Sequence, residues 1–185
     1  MVKPEKPVPL LINGEELAVL SVRLRCELDS RGTWLAVEAS TFELGAKLDR
    51  TPVIRFDYVR KSHTSPSAHV QMHAHRGALT HLLSQANHKK PHDISALHIP
   101  LGGARFRPCL EDVIQFLIDD CGFDAAKGWS EVLNAGREKW RRTQAKAVAR
   151  DYPAEATETL RGLGYTVTEP SGGHPKTPDK ALYLW

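Results

Sequence analysis

The amino-acid sequence predicts an α+β fold: an antiparallel β-meander of about four or five strands, with helices packed on one face and a C-terminal helical segment. Three observations predict it. Between Leu17 and Arg60 apolar and polar residues alternate with the two-residue period of half-buried strands. The strands are joined by short links, as in a meander. Further along, two stretches carry apolar residues at the three- and four-residue spacing of an amphipathic helix.

Residues 1–14 hold three prolines and end in Asn13-Gly14, a turn signal. Ala18, Leu20, Val22, Leu24, Cys26 and Leu28 then alternate with Val19, Ser21, Arg23, Arg25 and Glu27, which predicts a strand with the first set inward. Asp29-Ser30-Arg31-Gly32 predicts a hairpin turn, and Thr33 to Leu44 a returning strand. After a loop around Gly45 to Pro52, Val53 to Arg60 predicts a third strand. It puts Ile54, Phe56 and Tyr58 on one side and Arg55, Asp57 and Val59 on the other. Lys61 to Ser67 is loop, and a histidine-bearing fourth strand follows.

Beyond Gly77, Leu79, Leu82, Leu83 and Ala86 have helical spacing, with Pro91 past the helix end. Ile94 to Ile99 predicts a strand that carries His98 just before the loop P-L-G-G-A-R-F-R-P. Pro108 suits the first turn of the next helix, with Glu111 and Asp112 at its positive end. Leu110, Val113, Ile114, Leu117 and Ile118 form its buried stripe, and Gly122 stops it. A longer helix is expected from about Ala125 to Arg150, with Trp129, Val132, Leu133, Gly136, Trp140, Ala147 and Val148 on one face. Pro153 interrupts it, and a short helix ends near Gly162-Leu163-Gly164. The chain therefore divides into a sheet-plus-helix core over residues 1–124, a helical extension packed on it over 125–168, and a Pro/Gly-rich tail over 169–185, together one compact unit. The tail ends in Ala-Leu-Tyr-Leu-Trp, an apolar run that suits docking on the body, a second copy or a partner.

Composition excludes several classes. With 185 residues and 41% hydrophobic content the chain can bury a core, and no apolar run approaches the roughly 20 residues that span a bilayer. No membrane role is expected. The N-terminus lacks a secretory pattern, so a cytoplasmic location is expected. Cys26, Cys109 and Cys121 lie far apart, without the C-x-x-C pair of a redox or zinc motif. The net charge of +3 is mild, and its placement matters more than its total.

Eight of the nine histidines fall between His63 and His98. On a strand, alternation places His69, Gln71, His73 and His75 on one face and Val70, Met72 and Ala74 on the other, so the first set forms a constellation and the second a core face. Asp57, on the preceding strand, is the carboxylate expected nearest them. Two chemistries fit. In acid–base cleavage of a phosphodiester, His73, His75, His69 and Asp57 are the catalytic candidates, with Arg76, Arg105 and Arg107 holding phosphate; no cofactor is expected. In a metal site, His73, His75 and His98 would bind zinc or another divalent ion. A solvated, histidine-rich sheet face is the plain alternative. Between Lys127 and Arg150 there are seven Lys/Arg against Glu131 and Glu138. Lys139, Arg142, Lys146 and Arg150 share one helix side and could follow a nucleic-acid backbone such as RNA, unless they are simply a solvated face.

The run I-R-F-D-Y…H…P…H-V-Q-x-H-A-H with H-I-P-L-G-G-A-R-F-R-P-x-L-E-D-V-I-Q-F-L-I resembles small bacterial proteins of toxin–antitoxin and phage-defence gene pairs. The later runs G-W-S-E-V-L-N-A-G-R-E-K-W-R-R-x-Q and L-R-G-L-G-Y-T-V extend the resemblance, which covers roughly residues 53–168. It implies a toxin-like or defence-associated role, with RNA-directed enzymes among the toxin members and a cognate antitoxin or other protein partner, and it carries over no site residue. Three classes of function follow: a toxin-like ribonuclease, a metal-dependent hydrolase with a His-x-His site, and a non-catalytic component that binds nucleic acid or protein.

Overall fold

The computed structural model describes residues 1–29, 35–62, 65–74, 77–85, 87–101, 103–177 and 179–183. The expected hairpin turn at Ser30-Arg31-Gly32 lies outside them, as do His75, Arg76, Leu184 and Trp185. The fold is α+β, and its open antiparallel sheet has six strands rather than four or five: β1 (Val8–Ile12), β2 (Glu15–Leu28), β3 (Leu35–Ala46), β4 (Pro52–Val59), β5 (Ala68–Met72) and β6 (Ile99–Pro100). Their order in the sheet is their order in the chain, and every neighbouring pair is antiparallel, as a meander requires.

The two edges differ from expectation: β1 is an additional strand, and β6 is shorter than the strand expected there. β1 arises because Asn13 and Gly14 both take positive φ, 52° and 81°, the backbone of a two-residue hairpin turn. Asp124 holds that turn, accepting from the backbone N–H groups of Asn13 at 3.0 Å and Gly14 at 2.7 Å. At the other edge, the strand expected over Ile94 to Ile99 is a 3₁₀ turn at Ile94–Ala96 followed by the two-residue β6. The Asp93 carboxylate caps that turn by accepting from the Ser95 N–H at 3.0 Å, a local bond that competes with strand pairing.

Among the described residues six α-helices form: α1 (Gly77–Gln85), α2 (Gly103–Phe106), α3 (Leu110–Asp119), α4 (Trp129–Asp151), α5 (Pro153–Gly162) and α6 (Asp179–Tyr183). α3 supplies the lid of the core. Its Val113 and Leu117 pack on Ala18, Leu20, Phe42, Leu44, Ile54 and Val70 from four adjacent strands. α4 packs on α3, and Arg137 of α4 pairs with Asp112 of α3 at 2.7 Å. Pro153 opens α5 at its first turn, where its missing N–H costs nothing.

Local departures from the expected pattern have physical causes. A bulge between Arg25 and Cys26 breaks the register, and Leu28 beyond it is 59% exposed instead of inward. Met72, expected in the core, ends its strand and is 42% exposed. Val132 belongs to the expected apolar face of α4 but is solvent-facing, whereas Leu133 is buried. The stretch read as an open Gly-Gly-Ala-Arg loop contains the single turn α2.

Candidate functional site

The sheet register builds the site. Ser21, Glu43, Arg55 and Gln71 form one cross-strand row, and Arg23, Thr41, Asp57 and His69 the next. Each neighbours a core residue in its strand, so both rows project from the face opposite α3. Charges alternate along them. Arg23 meets Glu43 at 3.3 Å, Arg55 approaches Glu43 at 3.8 Å, and Arg55 donates to Asp57 at 2.8 Å. Asp57 is buried, which a carboxylate tolerates only when bonded. Thr41 Oγ1 donates to its Oδ1 and Arg55 Nη2 to its Oδ2, each at 2.8 Å.

His69 lies buried beside this carboxylate. Its Nδ1–H donates to the Pro66 carbonyl at 2.8 Å, because that oxygen can only accept. Nε2 therefore turns toward Asp57 Oδ2, 4.0 Å away: too far for a hydrogen bond, near enough for charge attraction when the ring is protonated. The His98 ring stands edge-on to His69, with centroids 4.7 Å apart and planes at 72°.

Gln71 decides the state of His98. Its amide nitrogen donates to the Ser95 carbonyl at 2.8 Å, which fixes the orientation of the amide. The same nitrogen is 3.3 Å from His98 Nε2, so a donor meets that ring nitrogen and His98 carries its proton on Nδ1. Burial holds the His98 pKa below the usual histidine value; the His69 and Arg55 charges push the same way, and Asp57 opposes them.

Above this layer opens a cleft of about 770 Å³, within the range of small-ligand sites. Arg55, Gln71, His73 and His98 line it together with the segment that carries His88, Lys89, Lys90, Asp93 and Ser95. Asp93 is the single carboxylate among these lining residues, and it is already engaged. Hydrogen bonding from the Ser95 hydroxyl holds its carboxyl below the usual range, with the Ser95 N–H, Lys90 and His73 acting in the same direction. His73 follows β5, where its N–H still bonds to the Val53 carbonyl at 3.0 Å. Its Nε2 is buried without a hydrogen-bond partner among the described residues. Leaving such an atom unpaired costs about 1–3 kcal/mol, a cost that a bound ligand can offset.

The candidates named from the sequence thus part company. His73 and His98 line the cleft, His69 and Asp57 lie beneath it, and His75 and Arg76 fall outside the described residues. Burial does not separate the two faces of β5 as expected: His69 and Val70 are both buried, because the chain leading into β6 covers the polar side. Arg105 and Arg107 do not join the histidines. Arg105 is bound by Asp151 of α4, Nε at 2.9 Å and Nη2 at 2.6 Å. The Arg107 guanidinium stacks 3.9 Å above the Tyr58 ring and 5.7 Å from Trp140. Tyr58 follows Asp57 directly in β4, so Arg107 lies on the opposite face of the sheet from the site.

On α4, Lys139, Arg142, Lys146 and Arg150 are exposed as expected. Arg142 pairs with Glu138 at 2.7 Å, and Arg150 approaches both Asp29 at 3.8 Å and Asp151 at 3.3 Å. Among the described residues no three His, Cys, Asp or Glu side chains converge as a metal-ligand set. Cys109 is buried at the start of α3, and burial pushes its thiol up to about 12, away from nucleophilic chemistry. The residues missed as site members are His88, Lys89, Lys90 and Asp93. Asp93-x-Ser95 is a turn-capping pattern, a signal that was present in the sequence.

No protein-family model matches the chain, and no curated protein and no solved structure matches it.

Proposed function

We propose that the cleft takes RNA and cleaves a phosphodiester bond by acid–base chemistry, as a toxin-like ribonuclease would. The observation that carries this reading is His98, a neutral imidazole held on the wall of a cleft whose charged residues are mainly cationic. Among the described residues its Nε2 lone pair is met by the long 3.3 Å approach of the Gln71 amide, which a substrate hydroxyl can displace. His98 takes the proton of a ribose 2′-hydroxyl, the 2′-oxygen bonds to phosphorus, and the 5′-oxygen leaves with a proton from His73. The products are a 2′,3′-cyclic phosphate and a free 5′-hydroxyl. Arg55, Lys89 and Lys90 stabilise the charge that builds on the phosphoryl oxygens. The toxin-like setting and a protein partner rest on the sequence resemblance, and the absence of any bilayer-spanning helix among the described residues agrees with a partner away from the membrane interior.

The test is incubation of the purified protein with short single-stranded RNA in the presence of a chelator. The expected result is cyclic phosphate ends, no cleavage of a 2′-deoxy strand, and a rate about 10²–10⁴-fold lower in His98→Ala. Undiminished cleavage by a folded His98→Ala protein would remove the acid–base reading, and loss of activity with the chelator would move it to a metal-dependent hydrolase.

A further inference from the structure

We infer that Arg55 and His73 form a phosphoryl-anion subsite within the cleft, apart from Arg105 and Arg107. The inference rests on the ribonuclease reading for the molecule that carries the anion, but not for the anion itself. The Arg55 guanidinium is set in place by acidic neighbours: Nη2 bonds to Asp57 at 2.8 Å, and Nε faces Glu43 at 3.8 Å without a hydrogen bond. A guanidinium has five N–H donors in a rigid fork, so these neighbours position it without saturating it.

His73 supplies the second arm. Its backbone pairs with Val53, two residues before Arg55, so the two side chains share one sheet face as diagonal neighbours, roughly 7–8 Å apart at the backbone. That gap suits a tetrahedral oxyanion that accepts from a guanidinium on one side and an imidazole N–H on the other. His73 Nε2 is buried and unpartnered among the described residues, and with its proton there it is the donor an oxyanion would meet. Asp93 takes both Ser95 bonds on its Oδ1 and makes no hydrogen bond to His73 Nε2. The other charged or titratable groups on the cleft are His88, Lys89, Lys90 and His98, which favour an anion over a cation.

The test uses the whole protein with ¹⁵N-labelled histidine and inorganic phosphate, against chloride at equal ionic strength. Phosphate should shift the His73 ring nitrogens saturably and leave His174, remote in the chain, unmoved. Arg55→Gln and His73→Asn should each weaken phosphate binding by roughly ten- to hundredfold, the loss of one charge-assisted hydrogen bond. A His73 ring indifferent to phosphate in the wild-type protein, a measurement that needs no variant, overturns the subsite, as does full affinity in folded Arg55→Gln. A 2′-deoxy dinucleotide that also shifts His73 assigns the anion to nucleic acid; a shift with phosphate alone assigns it to free phosphate or a monoester. Phosphate binding without RNA cleavage keeps the subsite and removes the ribonuclease reading. Cleavage with an unresponsive His73 does the reverse.

Discussion

His98 shows how a single residue acquires a chemical state from its neighbours. Nothing local in the sequence distinguishes it from His88 or His92. The Ser95 carbonyl orients the Gln71 amide, the amide presents a donor to His98 Nε2, and burial disfavours the imidazolium. Asp57 is the counterweight, the one neighbour among the described residues that draws the His98 pKa upward. Asp57→Asn removes that pull, so the His98 pKa should fall further below the usual value. Histidine NMR across a pH series reads this directly; a rise in the variant would show that the carboxylate does not act on His98 through charge. Arg105 and Arg107 teach the converse. Both are cations that follow a glycine pair in the sequence, yet one is bound to Asp151 and the other is stacked on Tyr58.

At the scale of the element, α4 joins two roles. Leu133 and Arg137 fix it to the rest of the molecule, Arg137 through Asp112 and Gln115 of α3. Its other side leaves Lys139, Arg142, Lys146 and Arg150 in solvent. If that side tracks an RNA backbone, removing one cation from a phosphate should reduce the log–log salt slope of binding by roughly 0.7 for a single strand. The double change Arg142→Glu with Lys146→Glu should therefore weaken RNA binding at low salt. It should change stability by no more than about 0.5 kcal/mol, as exposed substitutions usually do. Fluorescence anisotropy across a salt series, beside a urea melt, measures both. Equal affinity in the folded variant would leave this side as a solvated surface, its ion pair with Glu138 worth little.

The molecule as a whole is one sheet with two unlike faces, an apolar one under α3 and a polar one that carries the site. This arrangement predicts how stability responds to pH. His98 has a lowered folded pKa, so the unfolded chain binds more protons as pH falls through about 6.5, and stability should drop in that window until the folded value is passed. A second loss should follow below about pH 4. There the unfolded chain's Asp112 takes a proton while the folded carboxyl does not: burial raises its pKa, but the Cys109 N–H and Arg137 outweigh it and hold the carboxyl below the usual range, until pH falls through the folded value. Urea unfolding at a series of pH values should show both stages, and His98→Gln should erase the first alone. A first stage that persists in the variant would place the titrating group elsewhere.

The period of the side chains was enough to determine the strands β2 to β5, the stripe of α3 and the facing of Asp57, His69 and Gln71. These depend on steric alternation and burial within a few consecutive residues, which a sequence displays directly. The β1 strand was foreshadowed only by its Asn-Gly turn, and the 3₁₀ turn at Ile94–Ala96 was hidden because one side-chain bond from Asp93 outweighs a weak apolar pattern. Tertiary structure alone decided the rest. It brought His98 edge-on to His69 from 29 residues away in the chain. It sent Arg107 to the far face of the sheet and left Arg55 and His73 on the cleft. The physical reason is that alternation states which face a residue takes, whereas a site depends on which distant segment folds over that face. In this chain, that segment is the stretch from Asn87 to His98, and its path depends on caps and turns whose energies are too small and too local to announce their destination.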